Sequence, residues 1–467
     1  MYSKEMLQIA IVRSIVNLVH QSCVLNGAAD SISTSALLFP IIRFTMQPMP
    51  PLLTKRQEFA RGWPVLVATT LGTGTGIAPL MFYSLGAFVE PLGKEFGWSL
   101  AEITAAPLFM TFGFVATGAA VGAFADRFGA RRVTLLSLAL FVPAIAALSL
   151  IRPQVWTLYL GYFLLAIVGA GSMPITWTRV VTGWFMTGRG LALGLSLFGT
   201  GICGMLLPSY ATWLIDAFGW RAAYVGLALV PLVFAAPMAL LFFHEPPQDL
   251  ARRAATPSAG SIPAQDWGVS FKDAARSWPY WQMILGFFIA AMAIGSVLVH
   301  AIPLLTERGV NRGTAAAVFG LFGLAVSGGR LVSGYLLDIF HGPRLAIIMF
   351  SAPALACVLL LVSGDNLVLS GLAIILVGLI AGAEHDIAAY FVSRYYGRRN
   401  YGAIYGLLYT LYGLGSASGS PLAGWSHGVT GSYNTSLYFG VVAFLAAAAM
   451  LGTLGQYPKQ EGDRAPD

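Results

Sequence analysis

Twelve apolar runs, each long enough to cross about 30 Å of hydrocarbon, decide what this chain can fold into. They fall at roughly 62–90, 101–125, 132–151, 156–184, 189–214, 220–243, 279–306, 312–337, 344–363, 366–393, 402–427 and 434–455 of the 467 residues. Inside a bilayer only helices and closed barrels satisfy every backbone N–H and C=O. The runs lack the alternation of short barrel strands, so the chain is expected to be an all-α membrane protein in contact with lipid. Charged residues make up 10% of it, against about 25% in soluble proteins, too few to cover a soluble surface. The net charge of +7 would suit a nucleic-acid binder. Yet the basic residues lie mostly between the apolar runs, where they set topology, and no nucleic-acid partner is expected. Cys23, Cys203 and Cys357 stand far apart and make neither a disulfide framework nor a metal motif. No Walker loop, zincin motif or nucleophile elbow is present, so the reading is a non-enzyme without cofactor or metal.

The runs divide six and six around a stretch at 244–278 rich in Pro, Ala, Ser and charge, which reads as a linker outside the bilayer. The expected units are a six-helix bundle at 61–243, the linker, a second bundle at 279–456 and a tail at 457–467. Short loops on the linker side carry Arg127, Arg131, Arg132, Arg189, Arg344, Arg394, Arg398 and Arg399; the other side carries Lys94, Arg152, Arg221, Arg308 and Arg312. This excess puts both termini and the linker in the cytoplasm, and the protein in the cytoplasmic (inner) membrane. Residues 1–60 form an N-terminal extension, disordered or interfacial. Its apolar stretch Leu7–Val19 is interrupted by Arg13 and too short to span, and Met46 or Met49 is an alternative start.

A shift of 212 residues superposes the halves without gaps. Glu95 falls on Glu307, Gly97 on Gly309, Gly122 on Gly334, Asp126 on Asp338, Gly190 on Gly402, Gly194 on Gly406 and Gly219 on Gly431. Apolar matches would arise by chance; glycines and acids at one constant offset do not. Two matched halves are the plan of a transporter, with the substrate held between them near the midplane.

The stretch Gly122-Ala-Phe-Ala-Asp126-Arg127-Phe-Gly129-Ala-Arg131-Arg132 resembles the loop signature of the major facilitator superfamily, and Gly334 to Arg344, with Asp338, is a weaker second copy. The resemblance covers about 61–455 and implies the major facilitator fold, twelve transmembrane helices in two pseudo-symmetric six-helix bundles. Asp126 stands at the end of the second run, where the eleventh begins near Gly402; symmetry puts Asp338 at the start of the fifth, near Gly190. A carboxylate at a helix N-terminus is favoured by the dipole. Gly122, Asp126, Arg127, Gly129, Arg131, Arg132 and Asp338 are therefore the candidate cytoplasmic gate, the plainer reading being a tight loop that sets topology. Phe82 to Gly86, Trp184-Phe185, Arg189 to Gly194 and Gly382-Ala-Glu384-His385-Asp386 are similar to the monocarboxylate-transporter and oxalate/formate-antiporter branch.

Charges inside apolar runs are functional candidates, because each costs a few kcal/mol at the bilayer centre unless it faces the bundle or water. Arg330 lies two turns before Asp338 and resembles the substrate-anion arginine of the monocarboxylate branch; a structural pair with an acid of the tenth run is the alternative. The acid that branch carries one turn earlier is replaced by Val326, its first-helix lysine by Tyr83, and the eleventh run offers Tyr405, Tyr409 and Tyr412 in place of a lysine. Arg330, Tyr83, Tyr409 and His300 are the substrate-binding candidates. Glu384, His385 and Asp386 are those for proton coupling or a charge pair. Glu384 and Asp386 point about 200° apart, so they cannot share one face. Arg179 is expected to snorkel toward the interface more than to meet substrate. The function expected is secondary transport of a small organic anion, a monocarboxylate, by a monomer, as a proton symporter or anion antiporter. The alternatives are efflux of apolar or cationic compounds and a transporter-derived sensor.

Overall fold

The computed structural model describes residues 54–246 and 268–458. The Leu7–Val19 stretch, most of the linker and most of the tail lie outside the described residues. Among the described residues, ten helical stretches have the length and hydropathy of a membrane crossing. Arg189–Phe242 is broken at Gly219 and makes two crossings. Tyr401–Thr430, less apolar because of its glycines, serines and tyrosines, completes twelve. They are α1 Lys55–Phe96, α2 Glu102–Phe128, α3 Ala130–Leu150, α4 Trp156–Trp184, α5 189–218, α6 220–242, α7 Trp278–Glu307, α8 Arg312–Leu337, α9 Gly342–Val362, α10 Leu367–Tyr395, α11 Tyr401–Thr430 and α12 Asn434–Gly452. Large apolar side chains such as Leu136, Ile348 and Val442 stand more than three-fifths exposed on the outside, the pattern of a surface solvated by lipid.

The first helix begins earlier than the boundary at residue 61 expected from hydropathy. A capping box sets its start: the Thr54 hydroxyl accepts from the Gln57 amide at 3.4 Å, and Gln57 Oε1 accepts from the Thr54 amide at 3.0 Å. Its opening turns are polar, so an apolar-run count misses them. The helix is then interrupted at Thr75–Gly76, beside an interruption of α4 at residues 170–173. The two breaks satisfy each other in part, because the Ile77 amide donates to Ser172 Oγ at 3.1 Å.

Backbone geometry repeats with the sequence offset. Gly97 and Gly309 end the first helix of each bundle with φ of 73° and 89°, and Gly219 and Gly431 make the corresponding later breaks at 79° and 68°. A side chain is strained in that left-handed region, which is why glycine recurs there.

The bundles meet along two interfaces related by the same offset. In α2 against α11, a Cβ on Gly122 would overlap the Gly402 carbonyl, and one on Gly406 would overlap that of Gly118. In α5 against α8, a Cβ on Gly190 would overlap the Gly334 carbonyl, and one on Gly194 that of Arg330. Small residues let the backbones approach this closely. The shift carries Gly118 onto Arg330, so the deep arginine stands at a position that the first bundle fills with glycine.

Candidate functional site

Arg330 lies in α8 eight residues before Asp338, about 12 Å along the helix at 1.5 Å per residue. It is 7% exposed, and Asp386 on α10 is fully buried. Its Nη1 lies 3.4 Å from Asp386 Oδ1, and the Ser333 hydroxyl, one turn further along α8, donates to Asp386 Oδ2 at 3.3 Å. Close helix packing makes this possible: a Cβ on Gly329 would overlap the Leu379 carbonyl, and one on Gly382 that of Val326. An acid thus faces Arg330 from the neighbouring helix, while position 326 is a valine.

Glu384 turns to the other side of α10 and accepts a hydrogen bond from the Tyr412 hydroxyl of α11 through Oε1. His385 Nδ1 lies 3.7 Å from the same oxygen, beyond hydrogen-bonding distance. The His385 ring packs 5.1 Å from that of Tyr409 and 4.5 Å from that of Tyr412. The first bundle contributes Tyr83 of α1, which is 36% exposed and within electrostatic reach of Arg330 and Tyr409. Three buried atoms of this cluster, Arg330 Nε, Glu384 Oε2 and His385 Nδ1, have no hydrogen-bond partner among the described residues.

Of the seven candidates for substrate binding and charge pairing, six converge here. His300 stands apart. Its Nε2 is 3.0 Å from the Ser420 carbonyl, and its ring lies 5.0 Å from Tyr433. Ser420 is eight residues past Tyr412 on α11, about 12 Å further along that helix.

At the loop end, two carboxylates make matching contacts. Asp126 accepts from the Gly402 and Ala403 amides at the start of α11, at 3.1 and 3.0 Å. Asp338 accepts from the Gly190 and Leu191 amides at the start of α5, at 2.6 and 3.3 Å. Each bridges the two bundles and lies in the positive field of a helix N-terminus. The supporting cations differ. Arg179 Nε donates to Asp126 at 2.7 Å, and Lys55 Nζ to Asp338 at 2.7 Å. Arg179 is 6% exposed and also reaches Glu245 at 3.4 Å, which corrects the expectation that it snorkels outward; two buried acids hold it in place.

The rest of the loop motif is less deeply engaged. Gly129 starts α3 at φ 99°. The Arg131 amide donates to Glu245 at 3.2 Å, and its side chain to the Leu240 carbonyl at 2.6 Å. Arg127 lies over the Phe128 ring, and Arg132 is exposed.

Several contacts at this end have no counterpart in the sequence reading. Glu58 of α1 accepts from the amides of Met186, Thr187 and Gly188 at 3.1, 3.0 and 2.9 Å, ordering the turn into α5. Arg189 Nη1 donates to Ser393 at 3.2 Å, and Tyr401 to Thr178 at 3.1 Å, both across the bundles. Lys55 and Glu58 fall in the segment assigned to the extension. The capping signature Thr54-Lys55-Arg56-Gln57 just before the first run was the available signal.

Among known proteins, the chain is 28% identical to monocarboxylate transporter 11 of Homo sapiens, over 80% of this chain and 79% of that one. It is 28% identical to an uncharacterised 38 kDa protein encoded in the 23S RNA operon of Thermoproteus tenax, over 79% and 90% of the respective chains. Among solved structures, a crystal structure of the E. coli fucose:proton symporter superposes with a TM-score of 0.65 at 13% identity, over 85% of this chain and 99% of that one. The proton:xylose symporter XylE, bound to 6-bromo-6-deoxy-D-glucose, gives 0.66 at 13% identity over 84% and 95%. At such identities the likeness concerns the fold alone. A family profile matches from the first half of α1 to the middle of α11, residues 71–420, and by it the chain belongs to the Major Facilitator Superfamily, a multi-pass membrane transporter rather than an enzyme.

Proposed function

We propose that this protein is a secondary active transporter of the cytoplasmic membrane that carries a small organic anion with one carboxylate, using Arg330 as the carboxylate's anchor. One observation carries the reading: Asp386 engages Nη1 of the guanidinium, while the buried Nε has no partner among the described residues. That edge can give a carboxylate two parallel hydrogen bonds without evicting Asp386. Tyr83, within electrostatic range of Arg330, is the first bundle's candidate contact to a bound substrate. The resemblance to monocarboxylate transporters 11 and 13 supports the same class.

Transport then follows by rocking the first six helices against the last six around the Arg330 cluster. Asp126 and Asp338 act as paired latches that keep the cytoplasmic end shut while the opposite end admits substrate. Two buried acids against one arginine leave no surplus positive charge, so a plain monoanion enters with a proton, or in exchange for another anion. Asp386 and Glu384 are the proton's candidate carriers. The same surplus of acid is what favours a cationic cargo as the second reading. Uptake of labelled small monocarboxylates into proteoliposomes tests the proposal: Arg330→Ala should abolish it, and wild-type uptake in that variant would remove Arg330 from the site.

A further inference from the structure

The first bundle shows what the fold itself requires at these positions. The 212-residue shift carries Gly118 onto Arg330, Ser172 onto Glu384, Met173 onto His385, Pro174 onto Asp386, Leu197 onto Tyr409 and Thr200 onto Tyr412. None of the first-bundle residues is charged, and α4 is broken at Ser172 and Met173 where α10 runs on through Glu384 and His385. The repeat therefore does not call for a buried arginine and two acids at this depth, and a ligand is the natural account of them.

The unmet hydrogen bonds say which kind. Arg330 Nε is a donor with no partner among the described residues; Glu384 Oε2 is an acceptor with none, its other oxygen being held by Tyr412. Both belong to one cluster, since Asp386, two residues past Glu384 on α10, lies 3.4 Å from Arg330, and α8 and α10 touch at Val326 and Gly382. A plain monocarboxylate would answer Nε but leave Glu384 Oε2 buried and unpaired beside a new negative charge, which is costly. A molecule bearing both a carboxylate and an ammonium answers both, and adds no net charge. The aromatic wall beside Glu384 suits the cation as well, because the His385 ring lies 5.1 Å from that of Tyr409 and 4.5 Å from that of Tyr412.

We infer that the substrate is a zwitterion of the amino-acid type, its carboxylate on the Nε edge of Arg330 and its ammonium on Glu384. This rests on the reading of Arg330 as the carboxylate anchor, keeps the single carboxylate, and replaces the net anion by a zwitterion. The ammonium takes the role that a proton fills for a plain acid, so transport of the zwitterion needs no accompanying proton.

The test uses the full-length protein in nanodiscs and matched ligands on one skeleton: L-phenylalanine, 3-phenylpropionate and N-acetyl-L-phenylalanine, with L-alanine, propionate and N-acetyl-L-alanine as the smaller series. Binding by isothermal titration should favour a free amino acid over its deaminated and acetylated forms by about a hundred-fold or more, as expected where a buried polar group is left unpaired. Glu384→Gln should erase that preference from both sides, weakening the amino acids, which lose their ammonium partner, and strengthening the deaminated acids, which no longer meet a buried carboxylate. Arg330→Lys should weaken every ligand of the series. If the deaminated acids bind as well as or better than the amino acids, the zwitterion is wrong and the carboxylate anchor stands. If nothing in either series binds, both readings fall. The wild-type ligand series decides the matter even where a variant fails to fold.

Discussion

Replacing Asp126 by asparagine should unlatch one side of the loop end while leaving the helices intact. The carboxylate holds the Gly402 and Ala403 amides at 3.1 and 3.0 Å and the Arg179 guanidinium at 2.7 Å. A charge at a partly buried helix N-terminus contributes up to about 2 kcal/mol. Asparagine keeps one acceptor oxygen, and Arg179 keeps Glu245 at 3.4 Å, so the charge on Arg179 is not orphaned. The net loss to the closed state is therefore about 1–2 kcal/mol, a shift of about 5- to 30-fold in the open-to-closed ratio. Pulsed EPR between nitroxides on Arg127→Cys and Arg399→Cys, neither of them fully buried, reads this directly. The background has Cys23, Cys203 and Cys357 replaced by serine. Asp126→Asn should add a longer-distance population, Asp338→Asn one of similar size, and the pair together nearly the sum in free energy, because the two interfaces are separate. Distance distributions identical in the wild type and both variants would refute the latch.

The same labels report on packing. Gly122→Val and Gly334→Val place a side chain on the facing carbonyl of Gly402 or Gly190, so each should hold the loop end open and slow transport; an unchanged short distance would mean the close approach is not required. The Arg330–Asp386 pair makes a separate prediction for stability. Arg330→Gln strands a buried carboxylate and should cost about 3–5 kcal/mol, whereas Arg330→Gln with Asp386→Asn should melt closer to the wild type. A double variant that melts lower than Arg330→Gln alone would mean the two side chains are not coupled.

What the sequence disclosed and what it withheld follow from different physics. Asp126 and Asp338 could be placed against the starts of α11 and α5 because a motif, a repeat and the helix dipole all address the same residues. The division of labour between Glu384 and Asp386 was half legible. The 200° between them, at about 100° per residue, says that they face different neighbours, but only the packing of α10 between α8 and α11 says that Asp386 meets Arg330 and Glu384 meets Tyr412. Arg179 was misjudged because its partners, Asp126 and Glu245, are 53 and 66 residues away in the chain, and hydropathy does not see pairs. Lys55 and Glu58 were missed because a polar first turn looks like an extension until the helix it opens is known. His300 shared the residue type and depth of a site histidine, yet the register of α7 against α11 sets it beside Ser420.

The central claim is that a substrate carboxylate lies on the Nε edge of Arg330. Arg330→Lys tests it most directly, because lysine keeps a positive charge for Asp386 and so spares the fold, but lacks the planar fork. Equilibrium binding of the best ligand to the purified variant should weaken by about 10- to 150-fold, the worth of a charge-assisted hydrogen bond of about 1.5–3 kcal/mol, with the melting temperature nearly unchanged. Wild-type affinity in Arg330→Lys would contradict the account.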